Sequence, residues 1–502
     1  MQGVDPALVR GGALKHLGMT TTCIPPYEEW PALLAANREI VQTLHKRVGE
    51  SIVRDVRAQV VKAALQYSSS LREIARKAGI PLPAEPRESA DVSLPIIMAG
   101  HQPVIYHSGI LEKMACLRKL AKSTGAMAIN VAIDTDEGDA GRIAWPHIKG
   151  DELSIKLGTI GTQSVLFRSQ RVGDVSQVAR ICEEAQRDLS ASGLPDVATR
   201  VARVSRLYQA LAHESIVAAN AIVRWAESGT GYLELPLSQM VELSAVRMFI
   251  QAIVENGKGF VATYNATLDE YRRSHKIKNP ANPFPNMTME PGLIELPLWC
   301  VAGDARLPLK VVAGEPAVMK EEIIAPRGSI VTMLLRGLCS DLFIHGLGGG
   351  KYDQFVDAFA QEYWGAPLPR FVVTSATRHL FPEAVDRYTR ARDLRARYKE
   401  IISHTERFFG QGTFTHDEES ALRTMVEQRR ELLKQLQSTT TSDERSKVSH
   451  ALNDINKSVR SLIDASSLAP QLAEGAIDDA RLARWSYREF PFFFFQESLR
   501  TS

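Results

Sequence analysis

The sequence predicts an α/β protein: a parallel-sheet core with inserted helical and β segments, and an antiparallel helical hairpin near the C-terminus. Three observations predict it. Leu94 to Ile143 reads as strand, polar loop, helix, strand and acidic loop. Asp341 to Ser375 repeats the order strand, glycine loop, helix, strand. Leu422, Val426, Arg429, Leu433 and Leu436, then Val448, Leu452, Ile455, Val459 and Leu462, advance by four and three, the heptad spacing of paired helices.

Taken in order, residues 1–25 are small and polar and are expected to be loosely ordered. Residues 27–79 carry two helical stripes, one on Trp30, Leu33, Leu34, Ile40, Val41 and Leu44, the other on Ile52, Val56, Val60, Val61, Ala64 and Leu65. A proline-rich linker, Pro81 to Pro86, leads into the core. There the apolar run Leu94 to Met98 ends at Ala99-Gly100, and Ile110, Met114, Leu117 and Leu120 mark the helix. The second apolar run, 126–133, is followed at once by Asp134, Asp136, Glu137 and Asp139. Two buried strands joined by a helix make a right-handed βαβ unit with adjacent C-terminal ends. Ligands of open α/β sheets sit at those ends. The Gly100-His101-Gln102 loop, the acidic loop and the later glycine loop are therefore expected to converge on one polar cavity.

Short strands are expected at Leu153 to Leu157 and Ser164 to Phe167, and helices over 176–228, 238–256 and 260–275. Tyr232 to Leu235 is a short strand. A proline-rich loop between Pro280 and Pro291 lies on a surface or over a cleft. Leu293 to Cys300, Leu307 to Val312 and Ile323-Ile324 are β-type runs, and 329–338 is a helix bearing Arg336. Phe490 to Phe495 is too apolar to face water and reads as a strand or plug returning to the core. The expected parts are an N-terminal helical segment (1–86), a first core half with a β excursion (87–175) and an inserted helical region (176–290). A second core half (291–382), a hairpin arm (383–470) and a C-terminal segment (471–502) follow.

The near-neutral charge of +2 gives no reason to expect nucleic acid as a partner. No apolar run approaches the ~20 residues of a membrane span, and no signal-peptide pattern opens the chain. The five cysteines lack any CxxC pair, which fits a reducing cytoplasm and buried thiols.

Candidate chemistry gathers in the three loops. Gly100 lets backbone approach a ligand. Gln102 lies beside it, and His101 and His107 can contact phosphate or carboxylate oxygens or move protons. The plainer alternative is local hydrogen bonding. Asp134 and Asp136 could hold Mg²⁺ or an amine, or simply cap the next segment. His345, Gly348, Gly349, Lys351, Tyr352 and Asp353 open a helix whose N-terminus suits an anion. The spacing is not GxxxxGK[ST], and Tyr352 cannot replace its metal-binding hydroxyl. The basic run Arg272 to Lys278, Arg327 and Arg336 read as solvated or, less simply, as anion contacts.

In its order of features the chain resembles the bacillithiol biosynthesis cysteine-adding enzyme family (BshC). Gly100-His101-Gln102 resembles that family's Gly-Gln-Gln loop, and Asp134-Thr135-Asp136 keeps two aspartates of its Glu-Asp-His-Asp loop. Gly348-Gly349 resembles its glycine loop and Pro369-Arg370 the next strand entry. His101, Ile133 and Thr135 stand where the family has glutamine, glutamate and histidine. The resemblance implies a Rossmann-like core, a coiled-coil arm pairing two subunits, and a ligase joining L-cysteine to the amine of a sugar-derived malate conjugate. The carboxyl activation this needs implies ATP/ADP and Mg²⁺. In that scheme His101 and His345 handle protons or phosphate, Asp134 and Asp136 a metal or the amine, and Lys351 phosphate charge, with His107 beside them as a further catalytic candidate. The alternatives are a nucleotidyltransferase-like ATP-using enzyme acting on another small molecule and a non-catalytic coiled-coil assembly protein.

Overall fold

The computed structural model describes residues 19–84, 93–150, 152–229, 231–312, 323–468 and 484–498. Two compact units divide the chain: 1–150, 154–378 and 488–502 form the first, and 151–153 with 379–487 the second.

The first unit opens with strand β1 (Met19–Ile24) and helices α1 (Trp30–Val48) and α2 (Glu50–Lys77). The βαβ segment follows as β2 (Ile96–His101), α3 (Ser108–Thr124) and β3 (Met127–Ala132). A hairpin, β4 (Arg142–Lys149) and β5 (Glu152–Thr159), precedes α4 (Val175–Ala191), α5 (Pro195–Ala210) and α6 (Ile216–Ser228). Next come β6 (Leu233–Pro236), α7 (Leu237–Met240), α8 (Ser244–Glu255) and α9 (Gly257–Ser274). A small antiparallel sheet holds β7 (Met289–Glu290), β8 (Leu293–Ala302), β9 (Ala305–Val312) and β10 (Ile323–Pro326). The unit closes through α10 (Gly328–Leu334), β11 (Leu342–His345), α11 (Leu347–Trp364) and β12 (Phe371–Arg378).

The main sheet runs β1-β12-β11-β2-β3-β6. All neighbours pair in parallel except β1, which pairs antiparallel with β12. From β2 the chain crosses to β3 on one side, and from β11 to β12 on the other. Right-handed crossovers in opposite directions place α3 and α11 on opposite faces of the sheet. The packing agrees: Phe355, Val356 and Phe359 of α11 share an apolar core with α2, α8 and α9, and no residue of α3 belongs to it. The gap between the C-terminal ends of β2 and β11 is thus a topological switch point, where open α/β sheets bind ligands.

Several expectations change. Residues 19–24 are not loose but form the antiparallel edge strand; 1–18 lie outside the described residues, as do 85–92, which include the end of the linker. Residues 164–167 are not a strand, because Asp304 accepts from Val165 N and Leu166 N, which a strand neighbour would otherwise take. The aromatic segment is no strand either. Phe492–Ser498 is a 3-10 turn, yet Phe490, Phe492, Phe493 and Phe494 are buried as expected of a plug.

The second unit contains α12 (Pro382–Ser403), α13 (His416–Ser438) and α14 (Ser442–Asp464). Thr415 and Glu418 form a reciprocal capping box at the start of α13. Of the heptad positions, Leu422, Val426 and Val459 are buried, while Leu433 is exposed. Arg429 turns to the Ile402 carbonyl (3.1 Å) and Glu406 (3.1 Å).

Candidate functional site

A cavity of about 280 Å³ opens at the switch point, near the small end of the range for small-molecule sites. Gly100, His101 and Gln102 come to it from β2, Asp136 from the acidic loop, and His345, Gly349, Tyr352 and Asp353 from the β11–α11 turn. The three loops converge. Phe284 reaches in from the proline-rich loop, and Trp299 and Arg306 from the small sheet.

The β11–α11 turn carries the most defined chemistry. His345 and Asp353 are buried, at 8% and 2% exposure. They are eight residues apart, so the first turns of α11 fold the carboxylate back under the strand end. His345 Nε2 donates to Asp353 Oδ2 (2.8 Å), which also accepts from Arg336 Nη1 (2.5 Å). Burial alone would raise the Asp353 carboxyl, but Arg336 and His345 outweigh it and hold it below its ordinary value. Burial dominates at His345 and pushes the imidazole down, so it is neutral near pH 7. With the proton on Nε2, the Nδ1 lone pair is the free basic site. Nδ1 lies against Gly349, where an added Cβ would come within 2.7 Å of it. Glycine at 349 keeps that nitrogen open.

On the facing strand, His101 Nδ1 pairs with the Gln102 carbonyl (3.1 Å), and burial pushes the imidazole down to about 3. It is therefore neutral and serves as a polar wall rather than a cation. Gln102 Nε2 donates to Asp136 Oδ2 (2.9 Å), and Arg306 ion-pairs with Asp136 and Glu137 (3.5 Å). The Arg306 guanidinium stacks on Trp299, 4.6 Å from the ring centre.

Other expected site residues have different tasks. His107 Nδ1 accepts from Gly109 N (3.0 Å) and caps α3; it does not line the cavity. Asp134 accepts from Ser238 N (2.8 Å) and Ser238 Oγ (2.5 Å) at the start of α7. Burial raises its carboxyl. Asp134 and Asp136 thus point to different partners and share no metal position. Among the described residues no group of three or more His, Cys, Asp or Glu side chains could hold an ion. Mg²⁺ does not fit this pair. Gly348 and Lys351 are exposed beside the cavity, and the Lys351 carbonyl accepts from Tyr271 (3.1 Å). Arg272 is buried and pins the proline-rich loop through the carbonyls of Asn282 (2.8 Å), Pro280 (2.5 Å) and Phe284. Arg327 pairs with Glu295 (2.8 Å).

Lys113 was not singled out by the sequence. It sits on α3, 4% exposed, with Nζ donating to the Gly100 carbonyl (3.0 Å). Among the described residues no carboxylate pairs with it. Burial lowers its ammonium to about 8. Its side chain packs 3.9 Å from where a Gly346 Cβ would be, at the start of α11. Positive charge therefore lies between His101 and His345. A lysine three residues after Ile110, the first apolar residue of the helix, was the available signal, but it resembles any amphipathic helix position.

No family model and no curated protein matches the sequence.

Proposed function

We propose that this protein is a carbon–nitrogen ligase, adding cysteine or a similar amino acid to the amine of a small sugar-derived substrate in low-molecular-weight thiol biosynthesis. In this reading the main sheet is a Rossmann-like core, and α13 with α14 is a coiled-coil arm that pairs two subunits in the cytoplasm. The observation that carries the reading is the neutral His345, oriented by Asp353 and opening at Nδ1 beside Gly349 in the switch-point cavity.

An amine attacking an activated carboxyl must lose a proton as the new bond forms. His345 Nδ1 is the acceptor, and Asp353, held by Arg336, stabilises the resulting imidazolium. Asp136 and Gln102 provide polar contacts for the incoming amine or sugar hydroxyls. The first turn of α11 favours a carboxylate or phosphoryl group, and the charge of Lys113, which does not itself line the cavity, acts from behind Gly100. ATP would supply the carboxyl activation. A cavity of this size takes its reacting end, with the rest of the nucleotide outside.

The test is incubation with L-cysteine, glucosaminyl-malate, ATP and Mg²⁺, read by mass spectrometry for the condensed thiol. The expected result is a product whose rate drops at least ~100-fold in His345→Ala. A variant that keeps full activity overturns the site. A native protein that neither forms product nor is thermally stabilised by either substrate overturns the function.

A further inference from the structure

A second cluster of reactive groups lies away from the cavity. Cys23 and Thr374 are cross-strand partners in the antiparallel β1–β12 pair. Cys116, on α3, reaches the same threonine. Thr374 Oγ1 lies 3.5 Å from the Cys23 sulfur and 3.9 Å from the Cys116 sulfur. Both sulfurs therefore sit against one hydroxyl. They are distant in sequence, so nothing in the spacing marks them as a pair.

We propose that Cys23 and Cys116 form a peroxide-modified dithiol, in which Cys23 is oxidised first and Cys116 resolves it as a disulfide. The geometry separates the roles. Cys23 is half-buried at the sheet edge, open to a solute as small as hydrogen peroxide, whereas Cys116 is buried behind it. The neighbouring Cys116 pulls the Cys23 thiol down to about 7 against the effect of burial, with Thr374 helping. Cys116 Sγ faces Glu112 Oε1 (3.7 Å) as well as Thr374, and its thiol is pushed up, first by the neighbouring Cys23 and then by burial. Glu112 and Glu28 face the pair and oppose the Cys23 thiolate. Tyr27 is adjacent, its hydroxyl raised to about 12 by burial. Elsewhere burial pushes the Cys182 thiol up to about 11 and the Cys339 thiol up to about 12. Thiolate character and exposure together select the reacting cysteine.

The steps balance. Cys23 thiolate attacks one peroxide oxygen, the O–O bond breaks, and hydroxide leaves and takes up the proton Cys23 had released, giving water and a sulfenic acid. Cys116 sulfur then attacks the Cys23 sulfur. The S–OH bond breaks, the S–S bond forms, and the Cys116 proton departs with the hydroxyl as a second water. Peroxide is reduced by two electrons and the two thiols are oxidised. A dithiol reductant reverses the change. Closure ties the edge strand to α3, the helix that follows the Gly100-His101-Gln102 loop.

The experiment uses the full chain and requires no variant first. Protein is exposed to a small excess of hydrogen peroxide, free thiols are alkylated, and non-reduced peptides are mapped. A Cys23–Cys116 linked peptide is expected, reversed by dithiothreitol and formed at least ~10-fold faster than Cys182, Cys300 or Cys339 is oxidised. In Cys116→Ser, dimedone should label Cys23. Absence of the linked peptide overturns the proposal, as does oxidation of Cys300 at the rate of Cys23. Because the readout is a peptide mass, it stands or fails independently of any ligase activity.

Discussion

Two strand-to-helix turns flank the cavity, and each carries a histidine. After β2, His107 gives its Nδ1 lone pair to the Gly109 amide and ends there as a helix cap. After β11, His345 gives its Nε2 proton to Asp353 and keeps its Nδ1 lone pair beside Gly349. Both imidazoles are pushed down by burial, so the shift itself does not separate them. What separates them is which nitrogen is already committed and to what. A lone pair spent on a backbone amide cannot take a substrate proton; a lone pair left open by an oriented N–H can.

The largest test of this contrast is His345→Ala beside His107→Ala. The first should lower kcat/KM by ~10²–10⁴-fold with folding retained. Asp353→Asn should approach the same loss, because an amide can no longer fix the tautomer. Gly349→Ala should cost ~10–100-fold, since its Cβ would crowd Nδ1 while the backbone needs no unusual φ. Lys113→Met should cost about tenfold in activity yet raise Tm by a few degrees. The sign follows from the depressed value: Lys113 in the folded chain holds its proton less well than in the unfolded chain. Stability from this group is therefore present at high pH and is lost as pH falls through about 8. At neutral pH the buried charge opposes folding, and removing it helps. Binding of an anionic ligand should weaken in the native protein as pH rises through about 8, and this step should vanish in Lys113→Met. The smallest effect is His107→Ala, expected to lose ~1 kcal/mol by denaturant unfolding while activity stays within about twofold.

The two turns also show what the sequence could and could not disclose. Apolar runs bounded by glycine and acidic residues marked β2, β3 and β11, because buried parallel strands need continuous apolar sequence. That was enough to bring Gln102, Asp136 and Gly349 together. The strand β1 escaped because three consecutive threonines fill half of Met19–Ile24, an edge sequence with no continuous apolar run. Asp134 and Asp136 look alike in sequence, but one faces Ser238 and the other Arg306 and Gln102. Their division depends on α7 and β9, which arrive from far along the chain. Lys113, Trp299 and Arg306 were illegible for the same reason: each is defined by what packs over it. The heptad series predicted the paired helices, while burial at Leu422, Val426 and Val459 but not at Leu433 depends on neighbours that spacing does not encode.

The aromatic plug has one more consequence. Phe492 N donates to the Tyr106 carbonyl (2.8 Å), and Pro491 bridges to His107. Arg200 fastens the Phe494 carbonyl (2.8 Å). The turn that begins α3 is therefore finished by residues that leave the ribosome long after it does. A chain released before residue 490 would leave the Tyr106 carbonyl without this donor and the entry to α3 unfinished.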